Sequence, residues 1–187
     1  MPAVAFEDVT GRVRRLTELR GLPVVVLPIY TSCGATCPRI TGSLKRGLLA
    51  MKGDVRSYQV FVFSFDAADT IADLRDFSRV QKLPASWTVA HLKPDAIAKM
   101  TEALDYRVSS QNHEWTHPNA VAFLSPDLKL AKWLFGIEFT PEQLQQALGI
   151  ARGSTDWLYR AGPWFLALSV IGLTFSTVLL AHLLRGQ

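Results

Sequence analysis

Cys33 and Cys37 are the two cysteines of this chain, and three residues separate them in the run Tyr30-Thr-Ser-Cys33-Gly-Ala-Thr-Cys37-Pro38. A thiolate is both a nucleophile and a soft metal ligand, so such a pair has two chemistries open to it. It can cycle between dithiol and disulfide, since Cα atoms one helical turn apart lie within bridging range, or it can chelate a soft metal. Redox pairs of the thioredoxin type carry two intervening residues; a third widens the bite and weakens the simple oxidoreductase reading. A buried or bridged structural pair is the bland alternative. His117 is the side chain that could join them. Pro118 follows it and biases it toward an extended conformation at the entrance of a strand. Two thiolates and an imidazole make a three-ligand set: thiolates select copper(I), imidazole suits copper generally, and Cys₂His also serves zinc with an open position. Structural zinc takes four protein ligands, and no fourth stands out. By spacing alone, a single histidine on a loop is more often simply solvated than a ligand.

The other candidates read more blandly. His113 lies in the same polar stretch as His117 and could substitute for it or be solvated. His91 falls near a strand end, and His182 near the far end of an apolar run. Asp66 and Asp69 could orient the cysteine loop, although capping of the following helix accounts for Asp69 as well.

These residues need elements to position them. Residues 24–29 are a β-branched apolar run, which predicts a central strand buried on both faces. If a helix begins near the cysteine motif, both thiols share one of its faces, and its N-terminus stabilises a thiolate. Ile40, Leu44, Leu48 and Met51 carry that helix to about residue 52. Residues 6–15 read as a hairpin around Thr10-Gly11, residues 16–20 as a helical turn, and residues 58–65 as a second buried strand. Thr70 caps a helix to about Val80, residues 87–90 form a short strand, and Pro94 opens a third helix to about Leu104. Residues 108–116 are polar and irregular. Strands at 119–124 and 128–135 flank the turn Ser125-Pro-Asp127. Thr140-Pro-Glu-Gln143 starts a last helix that ends near Gly149. Strands alternating with helices predict an α/β sheet covered on both faces, and a cysteine pair after an early strand makes the arrangement thioredoxin-like by analogy.

The chain has 187 residues, 49% of them hydrophobic and 19% charged. Much of the apolar excess is C-terminal: residues 163–184 contain no charge, and 164–184 would span about 31 Å as a helix, enough for a bilayer core. Trp157, Tyr159 and Trp164 mark its upstream end like an interfacial belt. The expected organisation is a domain at 1–148, a linker at 149–162 and one transmembrane helix at 163–185. The net charge is +4, but the basic residues form no stripe interleaved with aromatics, which argues against nucleic-acid binding. No signal peptide is evident at the start, and the charges flanking the span decide its orientation only weakly.

Four stretches, in order, resemble the Sco/SenC family of thioredoxin-like copper-binding proteins. They are the Cys33-x₃-Cys37-Pro38 motif after the first core strand, Phe63-Ser-Phe-Asp66-Ala-Ala-Asp69-Thr70, the turn Leu83-Pro-Ala-Ser-Trp87-Thr88, and His117-Pro-Asn-Ala-Val-Ala-Phe-Leu-Ser-Pro126-Asp127. The resemblance covers about residues 5–148. It implies that Cys33, Cys37 and His117 bind copper together and deliver it to the dinuclear copper centre of cytochrome c oxidase subunit II, or serve another respiratory complex. It also leaves room for a thiol-disulfide reductase held at the membrane, or a non-catalytic accessory subunit of an oxidase. The copper destination implies a cell-membrane protein with its domain facing the periplasm. Two positions depart from the family pattern. Gly34 stands where Pro is frequent, and Thr116 where an Asp often precedes the histidine. Loss of that carboxylate predicts weaker copper binding.

Overall fold

The computed structural model describes residues 1–51, 57–111 and 114–153. Met1–Arg152 form one compact unit. Its strands are β1 (Ala5–Asp8), β2 (Val13–Arg15), β3 (Val24–Ile29), β4 (Gln59–Ser64), β5 (Thr88–His91), β6 (Ser109–Gln111), β7 (Glu114–Thr116), β8 (Ala120–Leu124) and β9 (Leu130–Phe135). Its helices are α1 (Thr36–Ala50), α2 (Ile71–Val80), α3 (Pro94–Ala103) and α4 (Pro141–Ala151), with a 3₁₀ turn at Leu16–Leu19. Seven strands make one sheet in the order β2-β1-β5-β4-β3-β8-β9.

The β-branched run forms the middle of this sheet as expected. β3 is buried along its whole length, pairing parallel with β4 and antiparallel with β8. Its side chains alternate between two cores. Val25, Leu27 and Ile29 join a cluster with Leu44 and Leu48 of α1, Leu74 and Phe77 of α2, and Leu144 and Leu148 of α4. Val24 and Val26 join the other, with Leu16, Leu19, and Ile97 and Met100 of α3. Pro28 lacks a ladder donor, and it lies beyond Val26, the last β3 residue paired to β8, where the missing N–H disturbs no pairing.

Thr70 and Thr140 cap α2 and α4, each within a reciprocal box completed by Asp73 or Gln143. Gly47 lets α1 approach α4 closely: a Cβ there would stand 2.5 Å from Leu144 Cδ1 and 3.2 Å from the Phe139 carbonyl.

Two boundaries move. Residues 108–116, expected to be irregular, contain the antiparallel pair β6–β7. Short polar strands have no hydrophobic alternation to announce them, and one large side chain, Trp115, ties this ribbon down against Phe65. α4 continues through Ala151, so the first residues assigned to the linker belong to the domain. The expected membrane span at 163–185, with most of the linker, lies outside the described residues; among the described residues no helix is long and apolar enough to cross a membrane.

Candidate functional site

Three loops meet at one end of the sheet. β3 runs out into Tyr30 and the cysteine loop, and the parallel β4 runs out into residues 65–69. Antiparallel β8 enters from the same end, just after His117. Strand direction alone therefore gathers Cys33, Asp69 and His117.

The cysteines meet by a route other than the expected shared helix face. α1 begins at Thr36, so only Cys37 is helical, and Cys33 lies upstream in a turn whose N–H donates to the Tyr30 carbonyl at 3.3 Å. The first-turn N–H of Cys37, an orphan donor, reaches back to Cys33 Sγ at 3.3 Å. Thr36 Oγ1 stands 3.6 Å from the same sulfur. α1 has no side-chain cap; the Cys33 sulfur takes the place of one. Both cysteines are free thiols and both are buried, at 7% and 2% exposure.

Their environments split the pair. Burial alone would push the Cys33 thiol up, but the N–H groups of Cys37 and Ala35 and the side chains of Thr36 and Tyr30 outweigh it and bring Cys33 from 9.0 down to about 6. Burial dominates at Cys37, opposed by a hydrogen bond from the Tyr30 backbone and reinforced by the Cys33 and Asp69 charges, and pushes it up to about 12. At neutral pH the site thus holds one thiolate and one thiol, a division suited to a nucleophile and its resolving partner.

Asp69 braces the loop. Its buried carboxylate accepts the Thr31 N–H at 2.7 Å, the Thr31 hydroxyl at 2.5 Å and the Ser64 hydroxyl at 2.5 Å. It therefore holds the start of the cysteine loop against the end of β4, in addition to preceding the α2 cap. Asp66 accepts the Ala68 N–H at 2.9 Å and the Trp115 indole N–H at 3.2 Å.

His117 sits in an aromatic cage, with ring centroids 5.1 Å from Phe65, 5.6 Å edge-on from Tyr30 and 6.3 Å from Tyr106. Its Nδ1 is 3.0 Å from both the Tyr106 hydroxyl and the Pro118 carbonyl, and the Tyr106 hydroxyl donates to that carbonyl at 2.8 Å. A carbonyl only accepts. The assignment that satisfies the network puts the imidazole proton on Nδ1 and leaves the Nε2 lone pair for a metal. Thr116 offers no carboxylate, and Tyr106 with Pro118 supplies the orienting partners instead. Burial drives the Tyr106 hydroxyl well above its ordinary range, with the nearby Cys37 adding to the shift.

The structure thus brings Cys33 and Cys37 into contact and places His117 at the same end of the sheet, within its own aromatic cage. Tyr30 touches both sides, with its ring against His117 and its side chain hydrogen-bonded to Cys33. Among the described residues no group of three or more His, Cys, Asp or Glu side chains is already gathered closely enough to hold a metal. The donor set of two sulfurs and an imidazole nitrogen fits a soft monovalent cation. Gly34 leaves that loop open, since a Cβ there would meet nothing within 4 Å. His91 pairs across to Glu7 on β1; His113 and His182 lie outside the described residues. Sequence reasoning missed Tyr30, Tyr106 and Trp115. The available signal was the aromatic content of a polar stretch leading to His117.

The chain matches the family model SCO1/SenC over residues 4–149. Comparison with the curated proteins finds no match. Among solved structures, the chain is similar to a protein from Aquifex aeolicus VF5, 30% identical over 81% of this chain and 90% of that one, with a TM-score of 0.77. It shares its thioredoxin-like fold with Bradyrhizobium japonicum ScoI with copper bound, at 20% identity over 79% of this chain and 96% of that one and a TM-score of 0.66. It shares it too with BsSco, a member of the Sco family of cytochrome c oxidase assembly proteins with a disulfide switch, at 21% identity over 80% and 91% and a TM-score of 0.69.

Proposed function

Because the chain belongs to the SCO1/SenC family, we propose that it is a copper metallochaperone for cytochrome c oxidase, with Cys33, Cys37 and His117 as ligands. The observation that carries the reading is the thiol pair at the start of α1, one sulfur already holding a helix N–H and poised as a thiolate. Its relatives support it: ScoI binds copper, and BsSco belongs to a family of oxidase assembly proteins.

In this reading copper(I) is cargo. Cys33 offers the first thiolate. Cys37 must lose its proton on binding, so loading releases acid. His117, oriented by Tyr106 and Pro118, offers Nε2. Three ligands leave a vacant position through which a sulfur of the dinuclear copper centre of subunit II can enter, so copper passes by ligand exchange without ever being free. The charge-free run at 163–184 would anchor the domain as a single C-terminal span, with the domain on the periplasmic side where such centres are built. The test is competition for copper(I) between a chelator and the reduced full chain. Cys33→Ser and Cys37→Ser should each lose to the chelator; if either competes like the wild type, the thiolate pair is not the site. Labelling of the cysteines on intact cells tests the orientation.

A second reading is favoured by the split between the thiols. In a thiol-disulfide reductase, Cys33 would attack a partner disulfide, releasing one partner thiolate. Cys37 would then attack Cys33, leaving a disulfide here and a reduced partner. This route needs no histidine, so His117→Ala should leave it intact while impairing copper binding.

A further inference from the structure

Beside the cysteine loop, a groove of about 350 Å³ opens between that loop, α1 and α2. Cys33 is among its lining residues and Cys37 is not. Its apolar walls are Pro38, Phe77 and Val80, and Val80 is 66% exposed, a large apolar side chain left in water. The charged side chains among its lining residues are Asp73 and Asp76, both acidic, on a chain whose net charge is +4. Asp73 also completes the α2 cap. Asp76 pairs with Arg79 at 3.0 Å, but both are more than two-thirds exposed, and such surface pairs hold little energy and exchange freely. The nearby Lys45 ammonium is engaged with the Gln81 carbonyl at 2.6 Å.

We propose that this groove docks a partner polypeptide segment that carries a cysteine between an apolar and a basic side chain. The partner sulfur meets Cys33, the apolar side chain packs on Pro38, Phe77 and Val80, and the basic one faces Asp73 and Asp76. Charge complementarity selects this occupant over a second copy of the chain, whose own cysteines lie beside the same acidic surface. The proposal rests on the reading of Cys33 as the working thiol, not on copper, and neither His117 nor its cage residues Tyr30, Phe65 and Tyr106 are among the residues that line the groove.

Thiol exchange tests it without metal. Two short peptides, each with a cysteine activated as its thionitrobenzoate disulfide next to leucine, differ only in flanking lysine or glutamate. The Cys33 sulfur attacks the peptide sulfur as a thiolate. The peptide–thionitrobenzoate bond breaks, and the coloured thiolate leaves with the bonding pair, so the release rate reads docking. With the reduced full chain at low salt, the lysine peptide should react faster by about tenfold. Asp76→Lys should bring the two rates close to parity, while Glu102→Lys, the same charge change on exposed α3 at the other sheet face, should keep the preference. A preference that survives Asp76→Lys, or falls equally with Glu102→Lys, overturns the groove. Loss of copper binding with the preference intact would instead remove the copper reading and leave the groove standing.

Discussion

Helices α1, α2 and α4 pack on the same face of the sheet, yet they begin in two different ways. α2 and α4 close their first turns with Thr70 and Thr140 and a reciprocal side chain three residues on, which satisfies the orphan donors locally. α1 begins after Ala35 with no side-chain cap, and a first-turn N–H goes to the sulfur of Cys33. The contrast teaches what an uncapped helix is for in this fold. Donors that would otherwise contribute stability are turned toward a group that gains from them only when it is charged.

The largest effect expected from this contrast is chemical. In the reduced, folded protein without metal, iodoacetamide should modify Cys33 along a curve with an apparent pKa of about 6 and leave Cys37, near 12, orders of magnitude slower at neutral pH. Equal labelling of the two would erase the difference between the helix starts. The same split makes stability depend on pH. Cys33 is held below the unfolded value of 9.0, so the unfolded chain binds more protons between about 6 and 9; stability gained from the thiolate is present above 9 and is lost as pH falls through 6. Cys37 is held above 9.0, so the folded chain binds more protons between about 9 and 12 and stability falls as pH rises there. Urea melts of the reduced protein should therefore peak near pH 9, and Cys33→Ala should flatten the rise below it.

Next in size are changes to the packing behind the caps. Gly47→Ala should cost about 1–3 kcal/mol, because its methyl meets Leu144 and the Phe139 carbonyl; an unchanged melt would mean that α4 is not fixed against α1. Smaller again, Thr140→Ala should cost about 1 kcal/mol through loss of a cap. Thr36→Ala removes a hydroxyl whose partner among the described residues is the Cys33 sulfur, so it should leave the melt nearly unchanged while raising the labelling pKa of Cys33. If the two threonines behaved alike, α1 would simply be another capped helix.

The sequence was legible where local periodicity and tertiary burial agree. β3 and β4 are runs with no polar alternative, and the Thr70 and Thr140 boxes are complete within four residues, so their positions could be read without neighbours. The cysteine pair was legible as chemistry but not as geometry. Its contact depends on α1 starting at Thr36, which no cap residue announces. The cage around His117 was not legible, because Tyr30, Phe65 and Tyr106 are brought together only by strand order. The β6–β7 ribbon escaped for the same reason: its tether, Trp115 to Phe65 and Asp66, spans distant parts of the chain. Asp69 looked like part of a helix start; its bonds to Thr31 and Ser64 follow from the parallel pairing of β3 with β4.

The central proposal is that His117 completes a site with Cys33 and Cys37, with the Tyr30 ring against His117 and its side chain hydrogen-bonded to Cys33. X-ray absorption at the copper edge, on the full chain loaded with one equivalent of copper(I), tests it most directly. Two sulfur scatterers and one nitrogen scatterer are expected in the wild type. In His117→Ala the nitrogen should vanish and affinity should fall, while the two sulfurs remain. An identical spectrum and unchanged affinity in His117→Ala would contradict it.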